Sequence, residues 1–186
     1  PPTENFQSEI STVVSVGGQK YTFSSGGGST LQITRSTAPA TTAPVLLERL
    51  PYGNAITTVS PSTTLSNGAT WVSQAVASYG TLVAVALSPS DYGTLGGRGV
   101  VRFYRAAADG TLSFLKDVVV GYLPDSIAFN STGTQMVVAN EGEPTTNYTI
   151  DGVEVDRPGS IGIIDIRNPL GVPSFSYTSL GFDSVD

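Results

Sequence analysis

Two stretches of this chain repeat each other, and that repeat limits the fold more than any other feature. Tyr79-Gly80-Thr81-Leu82-Val83-Ala84-Val85-Ala86 aligns with Thr132-Gly133-Thr134-Gln135-Met136-Val137-Val138-Ala139. Gly99-Val100-Val101-Arg102-Phe103-Tyr104 aligns with Gly159-Ser160-Ile161-Gly162-Ile163-Ile164, Ser113-Phe114 with Ser174-Phe175, and Gly121-Tyr122 with Gly181-Phe182. A period of roughly 50 residues with four strand-like segments per unit is the signature of a β-propeller blade. In the second unit the strands fall at Ser126 to Phe129, Thr134 to Ala139, Ser160 to Ile166 and within Ser174 to Leu180. The second of these is apolar at nearly every position, which suits a strand covered on both faces. It is short, β-branched and bounded by turn residues, which argues against a helix.

The expected fold is therefore all-β: propeller-type four-stranded repeats at about 71–121 and 122–181, within a partial propeller domain at 45–186. Propellers close with about 4–8 blades, and this chain carries about two. Its partners are then the remaining blades of the same protein or neighbouring subunits. The start at Pro1-Pro2, with neither an initiator Met nor a signal peptide, and the stop at Asp186, where a third unit would begin, fit a piece of a larger protein.

Residues 1–44 read differently. Ile10 to Val16 is a strand, Gly17-Gly18 a turn, and Lys20 to Phe23 an alternating second strand. Leu31-Gln32-Ile33-Thr34 alternates again, and Ser36 to Pro44 is Ser/Thr/Ala/Pro-rich, as linkers are. These residues form a strand-rich N-terminal arm and linker, with a soft boundary after residue 44. Two readings of the arm stand: a leader with one hairpin, or a strand arm that completes a neighbouring sheet. Val45 to Leu50 fits a helical turn or a strand equally well.

Composition removes several function classes. The chain has no Cys and no His, so thiol catalysis, a Ser-His-Asp triad and Cys/His zinc sites are excluded. A net charge of −6 disfavours nucleic acid, which needs a basic face. Charged residues are only 13 % of the chain, so it is not a disordered acidic segment. No stretch approaches the roughly 20 apolar residues of a membrane span. A metal site here would be built of oxygen, the preference of calcium and magnesium.

Antiparallel alternation sorts the connections onto two rims. One rim receives the short turns Asn130 to Gly133 and Asn168 to Gly171. The other receives Gly121-Tyr122-Leu123-Pro124-Asp125, the long stretch from Asn140 to Gly159, and Ser88 to Gly97 followed by Arg98. A loop of that length on a repeated scaffold is where function concentrates. It carries Glu141, Glu143, Asp151, Glu154, Asp156 and Arg157, and Asp91 lies in the earlier loop. Asp125, Asn140, Glu141 and Glu143 are the candidate calcium ligands, since calcium takes 6–8 oxygens. The spacing matches no EF-hand, and the alternative is a loop made soluble by its acids. Asn130-Ser131-Thr132 and Asn147-Tyr148-Thr149 are sequons, and a turn role explains Asn130 without modification.

Leu123-Pro124-Asp125, Ala139-Asn140-Glu141-Gly142-Glu143-Pro144, Tyr148-Thr149, Asp151 and Pro158-Gly159-Ser160-Ile161-Gly162-Ile163-Ile164-Asp165 resemble the choice-of-anchor I family. The resemblance covers residues 68–186. It implies a bacterial secreted or cell-surface protein with a propeller, similar in outline to phytase-like esterase propellers, some relatives being labelled atypical alkaline phosphatases. Gly152-Val153-Glu154-Val155 departs from the pattern, and residues 1–67 match nothing named. The family label describes anchoring and names no reaction.

Two functions follow as expectations. One is an extracellular structural or partner-binding module with a calcium-binding rim. The other is a calcium-dependent phosphoesterase whose site needs blades outside this chain, with Arg98 and Arg157 holding phosphate oxygens. The sequence leaves open whether the protein is an enzyme.

Overall fold

Alternation of apolar and polar residues, broken by glycine turns, cuts the chain into antiparallel strands. The computed structural model describes residues 9–25, 30–36, 45–51, 71–89, 98–142, 149–150, 153–154 and 157–182. In chain order the strands are β1 (Ile10–Val16), β2 (Gln19–Ser25), β3 (Thr30–Ser36), β4 (Val45–Pro51), β5 (Trp71–Tyr79), β6 (Leu82–Pro89), β7 (Arg98–Ala106), β8 (Leu112–Tyr122), β9 (Pro124–Phe129), β10 (Gln135–Asn140), β11 (Thr149–Ile150), β12 (Val153–Glu154), β13 (Ser160–Arg167) and β14 (Ser174–Gly181). Among the described residues there is no helix.

These strands form three four-stranded antiparallel sheets, in the orders β1-β2-β3-β4, β5-β6-β7-β8 and β9-β10-β13-β14, plus the small pair β11-β12. All four strands anticipated for the second repeat are present, each within two residues of its expected ends. The N-terminal part differs from expectation. Val45 to Leu50 is a strand and not a helical turn, and β4 pairs with β3 from Thr30↔Pro51 to Arg35↔Val45. β4, which lies beyond the boundary drawn after residue 44, thus belongs to the same sheet as β1, β2 and β3, and the linker expected at Ser36 to Pro44 lies, Ser36 apart, outside the described residues.

The middle sheet is packed on both faces. Towards the N-terminal sheet it presents Val83, Val85, Leu87, Val100 and Tyr104, against Val14, Tyr21, Phe23, Leu31 and Ile33. Towards the third sheet it presents Leu82, Ala84, Ala86, Val101 and Phe103, against Met136, Val138, Ile164 and Ile166. All eight positions of β6 are buried as a result. Its repeat partner β10 is nearly as apolar, yet its burial alternates, because the third sheet has a described neighbour on one face only. The first strands of the sheets lie side by side, β1 along β5 and β5 along β9. The Thr12 and Ser78 hydroxyls join the first pair at 2.6 Å.

The rim with the short turns is fastened by polar contacts between sheets. The Tyr21 hydroxyl donates to the carbonyl of Ala108 at 2.9 Å. Arg105 on β7 donates to the carbonyls of Pro169 and Gly171, both at 2.8 Å, in the turn before β14. These contacts tie the three sheets to one another on this rim.

Candidate functional site on the opposite rim

The opposite rim is assembled, among the described residues, from the β8–β9 link, the end of β10, the start of β7 at Arg98 and the residues 157–159 leading into β13. Its geometry starts with Leu123, which has φ of 47°. A left-handed backbone at a branched, buried residue costs about 1–2 kcal/mol and persists only where its surroundings hold it. Two hydrogen bonds do so: the Glu141 N–H donates to the Leu123 carbonyl at 2.9 Å, and the Gly142 N–H to the Tyr122 carbonyl at 3.3 Å. Gly142 has φ of 63°, and a Cβ there would stand 2.5 Å from the Arg157 carbonyl oxygen and the Gly159 nitrogen. The Gly in Asn-Glu-Gly-Glu is thus required both by its backbone conformation and by close approach of the 157–159 segment.

Asn140 extends the inward row of Met136 and Val138 and is itself buried. Its Oδ1 accepts the Gly121 N–H of the middle sheet at 3.0 Å. Its Nδ2 lies 3.1 Å from the Ser160 Oγ and 3.4 Å from both the Ser160 carbonyl and the Tyr177 hydroxyl. The amide expected to face a cation therefore stitches two sheets together. The bond from Gly121 takes up one of the two lone pairs of the Asn140 oxygen.

The two arginines singled out in the sequence meet at one aromatic ring. The guanidinium carbon of Arg98 lies 5.1 Å, and that of Arg157 4.8 Å, from the centre of the Tyr122 ring. Arg98 also donates to the Val120 carbonyl at 3.4 Å. Arg157 is buried and Arg98 half-buried. Desolvated guanidinium–aromatic contacts of this kind contribute up to about 2 kcal/mol. Tyr122 is the organising residue that sequence reasoning undervalued. The available signal was an aromatic residue at a strand end, between Gly121 and Leu123-Pro124, on the rim that receives both arginines.

Asp125 and Glu141 are exposed at the same end of the β9–β10 pair, where Asn140 pairs with Pro124 and the register shifts after Ala139. The structure thus brings Arg98, Tyr122, Asp125, Glu141 and Arg157 to one rim. Glu143, Asp91, Asp151, Asp156 and the Asn147 sequon lie outside the described residues, and Glu154 is described only as part of β12. Among the described residues no group of three or more acidic side chains is close enough to hold a metal ion. Asp125 and Glu141 supply oxygen of the right chemistry for calcium but fall short of its 6–8 donors by themselves. Asn130 sits in its turn as expected, its Oδ1 accepting the N–H groups of Thr134 at 3.0 Å and Gln135 at 3.2 Å.

A family model described as the choice-of-anchor I domain matches residues 9–186. The match takes in the N-terminal sheet, where the sequence alone suggested no relative. No curated protein matches the chain.

Proposed function

Because the chain belongs to the choice-of-anchor I family, we propose that it serves as a surface-associated, extracellular module of propeller type, structural or partner-binding, whose long-loop rim takes up calcium. The observation that carries the propeller reading is the stack itself. Each sheet is a four-stranded meander, and the first strands β1, β5 and β9 run alongside one another. Blades around an axis share that arrangement. The calcium reading is supported by the pairing of β9 with β10, which sets the exposed Asp125 and Glu141 at one end of a rigid scaffold. Glu143 and backbone carbonyls would complete the donor set. Asn140 enters this reading as the residue that fixes Glu141 in place, since its oxygen already holds the Gly121 N–H.

Thermal unfolding of the natural protein, with calcium and with a chelator, tests the reading. A ligand at about 100 times its dissociation constant adds roughly 2.7 kcal/mol, so the midpoint rises with calcium. The Glu141→Gln variant retains the fold and loses most of that rise. An unchanged midpoint at saturating calcium removes calcium from the function.

A second reading is favoured by one observation, the two guanidiniums over Tyr122 on the rim that carries the acids. Metal-assisted phosphoester hydrolysis needs cations to hold phosphate oxygens as well as carboxylates to hold a metal. In that reading Arg98 and Arg157 steady the phosphate while Asp125, Glu141 and Glu143 hold calcium.

A further inference from the structure

The last strand of the middle sheet is irregular in a way its repeat counterpart is not. β14 pairs with β13 through eight consecutive residues without a shift of register, and it carries no charged side chain. β8 shifts twice against β7, between Phe103 and Tyr104 and between Arg98 and Val100. Both shifts come from extra residues on β8. Phe114 and Lys116 stand opposite consecutive residues of β7, which leaves Leu115 over, and Val119 to Tyr122 takes three steps where Val100 to Arg98 takes two. Extra residues of this kind bend a strand and interrupt its ladder. The segment between them, Lys116 to Val119, is therefore not locked by regular pairing at either end.

The valines of this region do not fix the register. Val118 and Val120 pack towards the third sheet and Val119 towards the N-terminal sheet, so valine serves both cores. Moving the segment by one residue puts Val119 opposite Val101 and Val120 opposite Val100, and the contacts stay apolar. Register is weakly specified where successive residues suit either face. Asp117 is different. It stands directly opposite Arg102 and accepts two hydrogen bonds from it, at 2.7 and 2.8 Å. The two side chains are only 3 % and 6 % exposed. The Arg102 guanidinium also lies 5.3 Å from the centre of the Phe114 ring, so it touches residues on both sides of Leu115 and marks where the extra residue falls. A slip in one direction sets Val118 opposite Arg102 and parts a buried guanidinium from its carboxylate, which is strongly destabilising. A slip in the other direction sets Lys116 there, like charge against like.

We propose that Arg102 and Asp117 are positioning residues for the long-loop rim: their pair fixes the register of β8 and, through it, the face on which Tyr122 stands. Tyr122 is opposite Arg98, and its ring meets the Arg157 guanidinium from the segment that leads into β13. A one-residue slip carried to the end of β8 turns that ring to the other face of the sheet, away from Arg157. Setting one register against its neighbours is the best-attested use of a buried polar group. The inference concerns the aromatic centre of the rim and holds whether the rim takes up calcium or a phosphoester.

Exchange of a whole buried ion pair for apolar residues is often neutral or stabilising, so it separates register from stability. Arg102→Met/Asp117→Leu, Arg102→Lys and the parent are made in the natural protein, labelled with fluorotyrosine and compared by fluorine NMR. The Tyr122 resonance is identified by its loss in Tyr122→Phe. The parent and Arg102→Lys, which keeps a charge pair across the strands, are expected to give one Tyr122 resonance. The double variant is expected to split that resonance or move it towards the position of an exposed tyrosine, with an unfolding midpoint no lower than that of Arg102→Lys. A single, unmoved Tyr122 resonance in the folded double variant overturns the proposal. Equal splitting in Arg102→Lys overturns it too, because the ring would then answer to any change at position 102. Circular dichroism of each variant against the parent verifies that folded proteins are compared. Arg102→Gln/Asp117→Thr, a neutral polar replacement, is read in the same way where the apolar pair does not fold.

Discussion

At β10 the repeat puts Asn140 where β6 has Leu87, and this single exchange turns an apolar row into a polar stitch at the rim. Its amide satisfies a backbone N–H of one sheet and contacts Ser160 and Tyr177 of the other. Replacing Asn140 with Ala leaves the buried Gly121 N–H without its acceptor, at a cost of about 1–3 kcal/mol. Denaturant unfolding measures that loss, and the Gly121 amide is expected to exchange faster in the variant. An unchanged exchange rate at Gly121 would contradict the stitch. A second buried polar pair lies elsewhere, on the face of β7 that looks towards the N-terminal sheet. Arg102 grips Asp117 with two hydrogen bonds of 2.7 and 2.8 Å. Burial pulls the Arg102 pKa down, but the hydrogen bond and charge of Asp117 outweigh it and raise the value above the ordinary one. Burial likewise raises the neighbouring Tyr104 hydroxyl. Neither the stitch nor this pair was legible in the sequence. Each depends on a partner 15 or more positions away, which only strand register brings near.

Strands carry a stronger signal than their partners do. Both repeats were legible because alternation and glycine turns act locally, so β6, β10, β13 and β14 fall where the pattern put them. β4 was not, because Val45 to Leu50 has no clean period and becomes a strand only by pairing with β3. Burial was harder still: β6 and β10 read alike, and only the described neighbour on each face separates them. The same distinction divides two glycine turns. Gly18 and Gly133 both have positive φ, at 75° and 67°. A Cβ at Gly18 meets nothing within 4 Å, whereas one at Gly133 meets the Tyr79 ring of the middle sheet at 2.1 Å. Gly18→Ala is expected to cost about 1–2 kcal/mol from backbone conformation alone. Gly133→Ala adds displacement of the ring, a further 1–3 kcal/mol or so typical of overpacking. Unfolding midpoints of the two variants in one buffer check the difference. Equal losses would mean that the turn of the third sheet does not seat on Tyr79.

The candidate site belongs to the whole stack and to no single sheet. Arg98 and Tyr122 come from the middle sheet, Asp125 and Glu141 from the third, and Arg157 from the segment that leads into β13. Its groups keep their relative positions only while the two sheets stay seated, so binding and any catalysis depend on packing remote from the rim. This arrangement separates the two functional readings by experiment. A module that only binds calcium needs the acids and has no use for paired guanidiniums beyond holding Tyr122. A hydrolase needs both sets at once. The natural protein is incubated with a phosphomonoester and with a phosphodiester, with and without calcium, beside the Glu141→Gln/Glu143→Gln double variant and Arg157→Lys. Gln keeps the size and hydrogen bonding of Glu while removing charge, and Lys keeps the charge while losing the planar fork that grips phosphate oxygens. The surface-module reading expects no calcium-dependent turnover of either ester, together with a calcium-raised melting point that the double variant abolishes and Arg157→Lys retains. Turnover by the parent that falls at least about tenfold in both variants, equivalent to about 1.4 kcal/mol or more of transition-state stabilisation, would put the hydrolase reading ahead. Turnover that the double variant leaves intact would place the chemistry away from this rim.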